Sequence, residues 1–195
     1  MLFVIVGLGN PGNIYGATRH NIGFRVLNHL AMQCKIELNK LEHFAHVGSG
    51  NIADRRVLLV KPQTYMNRSG LAVEDVSRFN EVPLDRIVVV HDDIDLALGR
   101  IQVRRGGGHG GHRGLQSIIE TIEANDFIRL RLGIDRPAEA QEVSEYVLEA
   151  FNSAELEIVA DVVQRATAAL ITWLEDGLNT AMNRFNPWKL SEDKN

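Results

Sequence analysis

Apolar runs and amphipathic segments alternate along the chain. Short apolar runs predict strands, which we place at Leu2–Val6, residues 43–50, Arg56–Lys61, Ile87–Val90 and Ile101–Arg105. Apolar residues at helical spacing predict helices, which we place at Asn21–Cys34, Met66–Asn80, Leu115–Ile122 and Ala154–Glu175. The segment Phe127–Ile134 alternates apolar residues with arginines, which is typical of a strand with two different faces. In the helix from Met66, we expect Val73, Val76 and Phe79 to share one buried face.

Strands that alternate with helices are typical of an α/β domain. We expect a single domain over residues 1–188, with a twisted, mostly parallel (mixed) central sheet flanked by helices on both faces, and a loose tail at 189–195. Ligands of such sheets bind beyond the carboxyl ends of the strands. Polar segments follow three of the predicted strands: Asn10, Tyr65-Met66-Asn67 and His91-Asp92-Asp93. If these strands are parallel, the three segments face one crevice.

Composition excludes several classes of protein. The chain has 195 residues, 45% hydrophobic and 24% charged, as in folded globular proteins rather than disordered or fibrous ones. Its single cysteine, Cys34, excludes an internal disulfide and a multi-cysteine zinc site, and fits a reducing cytoplasm. No apolar run approaches the roughly 18 residues of a membrane span, and Met1–Val6 lacks the basic flank of a signal peptide. We therefore expect a cytoplasmic protein without a membrane contact.

The basic residues are unevenly distributed along the chain. The net charge of −4 argues against non-specific coating of nucleic acid. Residues 100–136, however, hold seven arginines against four acidic residues, for a local net charge of +3. Because arginine is suited to bidentate contacts with phosphate, this zone is a candidate phosphate-binding surface. A set of solvated surface arginines is the alternative.

The first predicted strand ends in the glycine-rich turn Gly7-Leu8-Gly9-Asn10-Pro11-Gly12. This turn matches the G-x-G-x-x-G pattern of dinucleotide-binding domains. Residues 13–19 lack helical apolar spacing, and no acidic residue ends a clear second strand about 20 positions later, so a simple tight turn is the better interpretation. That interpretation leaves the polar side chain of Asn10 unexplained.

A second glycine-rich segment, Gly106–Gly114, has six glycines in nine residues and carries His109 and His112. Its exposed amides could bind an anion. The two histidines, together with Asp92 and Asp93, raise a metal-dependent hydrolase as an alternative. A mobile loop without chemistry is the third interpretation.

His20 is the histidine nearest to the expected crevice. A carboxylate bonded to one ring nitrogen would fix the tautomer of His20 and leave the other nitrogen free to accept a proton. Spacing alone does not choose between Asp92 and Asp93 for this carboxylate. No serine lies in a G-x-S-x-G motif, so a hydrolase with this sequence would use water as the nucleophile.

Taken together, these segments resemble the bacterial peptidyl-tRNA hydrolase family. The matching segments run in order over nearly the whole chain: Val6–Gly12, Tyr15, Thr18–Gly23, Lys61–Asn67 with Ser69-Gly70, His91–Leu96, Gly106–His112, Arg129–Ile134 and Gly177–Asn186. The resemblance implies a monomeric, metal-free cytoplasmic esterase with no cofactor and no obligate protein partner. Such an enzyme releases the peptide from prematurely dissociated peptidyl-tRNA, so that the tRNA can be charged again.

The resemblance also implies roles for individual residues. His20 matches the catalytic histidine, and Asp92 matches the carboxylate that orients it. Asn67 matches a residue that holds the substrate near the scissile bond, and Asn10 one that helps to tell peptidyl-tRNA from aminoacyl-tRNA. Further substrate contacts are implied at Tyr15, Tyr65, Met66, Gly110 and His112, and contacts with tRNA phosphates at Arg104 and Arg131.

Arg113 departs from the family, which usually has asparagine after the second histidine of the glycine loop. An amide that can donate and accept is replaced by a longer cation that only donates, so we expect Arg113 to reach a phosphate or the peptide backbone instead. Ala97, where proline is common, should affect only the stiffness of a turn. A non-catalytic RNA-binding relative that kept the fold is the alternative to an enzyme, but the complete set of candidate catalytic residues favours the enzyme.

Overall fold

A computed structural model describes residues 1–187, which form a single α/β domain around one mixed sheet. The strands are β1 Leu2–Gly7, β2 Lys40–Glu42, β3 Ala45–Ile52, β4 Arg55–Pro62, β5 Ile87–Asp93, β6 Ile101–Arg105 and β7 Ile128–Gly133. Their spatial order is β2-β3-β4-β1-β5-β7-β6. The tail predicted at 189–195 lies outside the described residues.

The centre of the sheet is parallel and its edges are antiparallel. β4, β1, β5 and β7 lie side by side in parallel, whereas β3 pairs with β4, and β6 with β7, in the antiparallel sense. The predicted mostly parallel, mixed sheet is therefore confirmed. The central strands are continuous apolar runs because both of their faces are covered.

Helices cover both faces of the sheet, as predicted. They are α1 Ile22–Gln33, α2 Ser69–Phe79, α3 Arg113–Ile122, α4 Val143–Tyr146, α5 Leu156–Asp176 and α6 Leu178–Phe185. Successive residues of a strand point to opposite faces, so Ile5 belongs to the core under α1 and α5, while Val4 and Val6 belong to the core under α2 and α3.

Several predicted details are wrong. The segment predicted as one helix from Met66 begins with a 3₁₀ turn, Met66–Arg68, before α2 starts. Phe79 is 75% exposed rather than buried with Val73 and Val76. It is the last residue of α2, and its ring packs on His43 with 5.0 Å between centroids. The short elements β2 and α4 have no clear pattern of their own, and α6, whose apolar residues Leu178, Ala181, Met182 and Phe185 do follow helical spacing, was not predicted either.

The parallel arrangement brings three strand ends to one edge of the sheet. β1 pairs in parallel with both β4 and β5, which meets the condition for a shared site beyond Gly7, Pro62 and Asp93.

Among residues 1–187, no helix is both long enough and apolar enough to cross a membrane.

Candidate active site

A buried carboxylate at the end of β5 is shared by two histidines. Nδ1 of His20 lies 2.9 Å from Oδ1 and 2.9 Å from Oδ2 of Asp92. Nε2 of His112 lies 3.0 Å from Oδ1 of the same carboxylate. The side chain of Asp92 is 2% exposed, and each histidine side chain is 9% exposed. The structure thus selects Asp92 over Asp93 as the partner of His20.

The hydrogen bonds of His112 determine its tautomer. Its Nδ1 accepts hydrogen bonds from the backbone N–H groups of Gly114 at 3.1 Å and Leu115 at 3.3 Å, and so caps the N-terminus of α3. An accepting nitrogen carries no proton, so Nε2 of the neutral ring carries it and donates to Asp92. His20 likewise donates from Nδ1 to Asp92, which leaves Nε2 of His20 unprotonated in the neutral ring.

The environment of Asp92 favours its ionised form. Burial by itself would raise the pKa of Asp92, but the charges and hydrogen bonds of His20 and His112 outweigh burial and hold this pKa well below its usual range. The carboxylate is therefore available to orient both rings at neutral pH.

Arg19 anchors the turn that carries His20. Its guanidinium makes two 2.9 Å hydrogen bonds to Glu155, and it lies 4.4 Å from the ring centroid of Tyr146 and 4.8 Å from that of Phe151. The backbone N–H of His20 donates to the carbonyl of Val147 at 2.8 Å. Arg19 is 5% exposed, so this ion pair fixes the turn from inside the domain. This role is not visible in the local sequence, because Glu155 lies 136 residues away.

A close backbone approach sets the position of α1 behind His20. At Gly23, a Cβ atom would lie 2.5 Å from the carbonyl oxygen of Val90 and 2.6 Å from the backbone nitrogen of Leu8. Only glycine allows this contact, which brings the first turn of α1 against β1 and β5. His20 is thereby held beside Asp92.

Asn10 joins the turn after β1 to two neighbouring segments. Its backbone N–H and C=O are paired with the side-chain amide of Asn21, at 2.8 and 2.9 Å. Its Oδ1 accepts a hydrogen bond from the backbone N–H of Met66 at 2.8 Å. These bonds orient the side chain of Asn10, with its amide oxygen toward Met66 and its NH₂ group available as a donor.

A cleft of about 640 Å³ opens beside the His20–Asp92 pair. Among the predicted substrate residues, those that line it are His20, Asp92, Gly110, His112, Arg113, Arg104 and Arg131. Arg104 and Arg113 are exposed, and Arg113 is the first residue of α3. Nε of Arg131 lies 2.7 Å from Oδ2 of Asp93, so its charge is already paired.

Arg129 is one of the seven arginines of the basic zone, and it is buried rather than available to phosphate or solvent. It is 3% exposed and donates to the carbonyl oxygens of Gly107 and Gly108, which ties the glycine loop to β7. Burial and the charges of Arg104 and Arg131 lower the pKa of Arg129 to about 10. The alternation along β7 predicts that Arg129 points away from the apolar core. It does not predict that this side chain lies under the glycine loop.

His91 is a second buried polar group whose contacts are not visible in the local sequence. It is 1% exposed, and its Nδ1 donates to the backbone carbonyl of Asp92 at 2.7 Å. Burial and the charge of His112 lower the pKa of His91 to about 3. His91 is therefore neutral at physiological pH and packs edge-on against the His112 ring, 5.1 Å away.

The remaining predicted residues do not share the first cleft. Asn10 lines a second cleft of about 330 Å³, together with Asn21. Since His20 lines the first cleft and its neighbour Asn21 the second, the turn at Arg19–Asn21 divides the single crevice that we expected. Tyr65, 61% exposed, and Asn67, also exposed, lie on the outer surface after β4. Met66 is buried and Tyr15 half-buried, and neither lines a cleft described here.

A metal ion could be held by the same side chains that orient one another. Within residues 1–187, His20, Asp92 and His112 offer ligand atoms that all lie within 4.8 Å of one another. The two histidine nitrogens that face Asp92 carry protons in the arrangement above, so a cation there would displace both. His109 is exposed and bonded to the backbone N–H of Gly111, and it is not part of this group.

Comparisons with known proteins show which family this chain resembles in sequence and fold. A family model described as peptidyl-tRNA hydrolase matches residues 4–194. The peptidyl-tRNA hydrolase of Moorella thermoacetica is 47% identical over 187 residues, which cover 95% of this chain and 98% of the relative. That of Carboxydothermus hydrogenoformans is 47% identical over 185 residues, with the same coverage. The crystal structure of the Acinetobacter baumannii peptidyl-tRNA hydrolase superposes with a TM-score of 0.90 at 39% identity over 96% of both chains.

Proposed function

This chain belongs to the peptidyl-tRNA hydrolase family, and we propose that it hydrolyses the ester bond between a peptide and the 3′-terminal ribose of tRNA. The observation that carries the mechanism is the 2.9 Å pairing of His20 Nδ1 with Asp92, which leaves Nε2 as an unprotonated nitrogen in a residue that lines the larger cleft. A water molecule there loses a proton to Nε2 as it attacks the ester carbonyl. The bond between the carbonyl carbon and the ribose 3′-oxygen then breaks, and protonated Nε2 gives its proton to that oxygen. Base assistance of this kind typically contributes about 10²–10⁴-fold in rate.

Negative charge develops on the carbonyl oxygen during the attack. The backbone amides near Gly110, which line the larger cleft, are the candidate donors for this oxygen, and one such donor is typically worth about 10²–10³ in rate. The NH₂ groups of Asn10 and Asn67 contact the peptide outside this cleft. The exposed position of Asn67 supports a contact with the substrate rather than a structural role. Asn10 is the better oriented of the two amides, because Met66 already fixes its oxygen.

The substrate has two arms on either side of the ester, the tRNA and the peptide. The tRNA arm lies over the part of the larger cleft that is lined by arginines, which we call its arginine side. Arg104, Arg131 and Arg113 line this cleft, and Arg104 and Arg113 are exposed enough to reach phosphate oxygens. Release of the peptide frees the tRNA for another round of charging. In this proposal the enzyme works in the cytoplasm as a monomer, without a metal, a cofactor or an obligate protein partner.

Turnover of a labelled peptidyl-tRNA by the pure protein tests this proposal directly. We expect release of the peptide and of intact deacylated tRNA. A folded sample that binds tRNA and releases no peptide would instead support a non-catalytic RNA-binding relative. A sample that cleaves aminoacyl-tRNA as fast as peptidyl-tRNA would contradict the role given to Asn10.

A further inference from the structure

The charged side chains that line the second cleft are all basic. Arg25, His46 and Lys61 line it, and no acidic side chain of residues 1–187 does so. The rest of its polar lining consists of neutral amides, among them Asn13 and Gln63. Such a lining is suited to an anion, because every charged or chargeable group in it is basic.

The two permanent cations of this cleft have only neutral partners among the described residues. Nζ of Lys61 lies 3.2 Å from Oδ1 of Asn28 and 5.0 Å from the centroid of the Phe24 ring. The guanidinium of Arg25 donates to the carbonyl oxygen of Ala17 at 2.9 Å. Burial lowers the pKa of Lys61 and that of Arg25, so both cations lose hydration without gaining a counter-charge. A bound anion would offset this loss.

The sheet places this cleft opposite the arginines. Lys61 lies at the end of β4, and its partner in the register of the antiparallel pair is His46 on β3. Arg104 and Arg131 lie on β6 and β7, on the other side of β1 and β5. The His20–Asp92 pair lines the first cleft, and the second cleft, which has no acidic residue of the described chain in its lining, lies on the other side of the turn at Arg19–Asn21.

An ester of tRNA has two arms that leave the reacting carbonyl in different directions. If the tRNA arm occupies the arginine side, as in the proposed function, the peptide arm leaves over Asn10 toward the second cleft. We propose that the cleft lined by Arg25, His46 and Lys61 binds the carboxylate of an acidic side chain in the peptide arm of the substrate. The cleft is then a subsite that gives this enzyme a preference among peptides.

Binding of hydrolysis-resistant analogues tests the subsite separately from the chemistry. The probes are N-acetyl tetrapeptides joined by an amide bond to 3′-amino-3′-deoxyadenosine, with Glu or Gln at each of the three positions before the last residue. At one position or more, we expect the wild-type protein to bind the Glu probe about five- to tenfold more tightly than the Gln probe, as measured by calorimetry. Equal dissociation constants at every position would overturn the proposal.

Matched variants assign the preference to this cleft. Lys61→Met keeps an unbranched side chain but removes the charge that lies 5.0 Å from the Phe24 ring centroid, and it should bring the ratio of the two dissociation constants to about one, whereas Lys61→Arg should retain the ratio. Lys35→Met, a change to an exposed lysine just past the far end of α1, should also retain it. Arg25→Met provides a second test if Lys61→Met does not fold. A ratio that survives both Lys61→Met and Arg25→Met would place the preference elsewhere and overturn the proposal.

Two further outcomes are distinguishable. If Lys61→Met weakens binding of the bare trinucleotide CCA and the probes show no Glu preference, the cleft binds nucleotide phosphate and the peptide assignment is wrong. If the wild-type protein prefers Glu probes but does not turn over peptidyl-tRNA, the proposed function fails while the subsite stands.

Discussion

Nδ1 of His20 lies at the same distance, 2.9 Å, from both carboxylate oxygens of Asp92. The ring is thus held by a carboxylate whose own pKa is kept low, and whose second hydrogen-bond donor is His112. Because Asp92 is 2% exposed, water does not compete for it, and the orientation of the ring depends on protein groups alone.

Loss of the base should affect the chemical step rather than binding. We expect His20→Ala to lower kcat by about 10²–10⁴-fold and to leave tRNA binding almost unchanged. Asp92→Asn should lower kcat less, because the ring remains but its favoured tautomer is lost. His29→Ala, which removes a hydrogen bond to Thr167 outside both clefts, is the control and should keep normal kcat. Near-normal kcat in His20→Ala would refute the proposed base.

If Arg104 and Arg131 contact tRNA phosphates, their removal should change how tRNA binding depends on salt concentration. Arg104→Ala should raise KM, largely spare kcat, and reduce the log–log salt slope of tRNA binding by roughly 0.7–0.9. Arg131→Ala should raise KM further, because it also leaves Asp93 as an unpaired negative charge in the cleft. Binding measured at several salt concentrations checks both variants. An unchanged slope together with a loss of kcat would contradict this assignment.

We expect Arg113 to affect substrate binding rather than the chemical step. It lies at the exposed start of α3, beside His112 but not bonded to Asp92. We expect Arg113→Asn, which restores the usual residue of the family, to remain active within about tenfold, or roughly 1.4 kcal/mol. A much larger loss in kcat/KM would mean that the site of this protein depends on the arginine.

Chelation should have no effect on turnover. The three groups that could bind a cation, His20, Asp92 and His112, already satisfy one another by hydrogen bonds. We expect full activity after treatment with EDTA. Activity that disappears with EDTA and returns with zinc or manganese would instead assign these side chains to a metal centre.

The buried neutral His91 should make the protein less stable as the pH falls. Its pKa is about 3 in the folded protein but near 6.5 in the unfolded chain, so between these values the unfolded state binds the extra proton. The free energy of unfolding should therefore fall with decreasing pH below about 6.5, by at most roughly 1.4 kcal/mol per pH unit from this group. His91→Gln should reduce this dependence between about pH 4.5 and 6.5, measured by urea unfolding. The exposed His109→Gln should not, and equal slopes in all three proteins would refute the prediction.

The pattern of the sequence was sufficient to predict the central layer of the fold. β1, β4, β5 and β7 were predicted because a strand buried on both faces needs a continuous apolar run or a regular alternation, and both are visible along the chain. The exposed β2 and the short helix α4 have weak patterns, since little of their surface faces a core. The helix α6 has only eight residues and was not predicted, although its apolar residues follow helical spacing. Phe79 was predicted to be buried because spacing marks a helix face but not where the neighbouring layer ends.

For the site, the residue types and the family resemblance identified His20, Asp92, Asn10 and Asn67, and local sequence could go no further. The 2.9 Å pairing of His20 with Asp92, the hydrogen bond from His112 to the same carboxylate, and the Arg19–Glu155 anchor all join residues far apart in the chain. The division of the expected crevice into two clefts by the turn at Arg19–Asn21 is of the same kind. Periodicity reports the burial of each segment separately, whereas distances between segments are determined by the packing of helices and strands against one another, which only the tertiary structure decides.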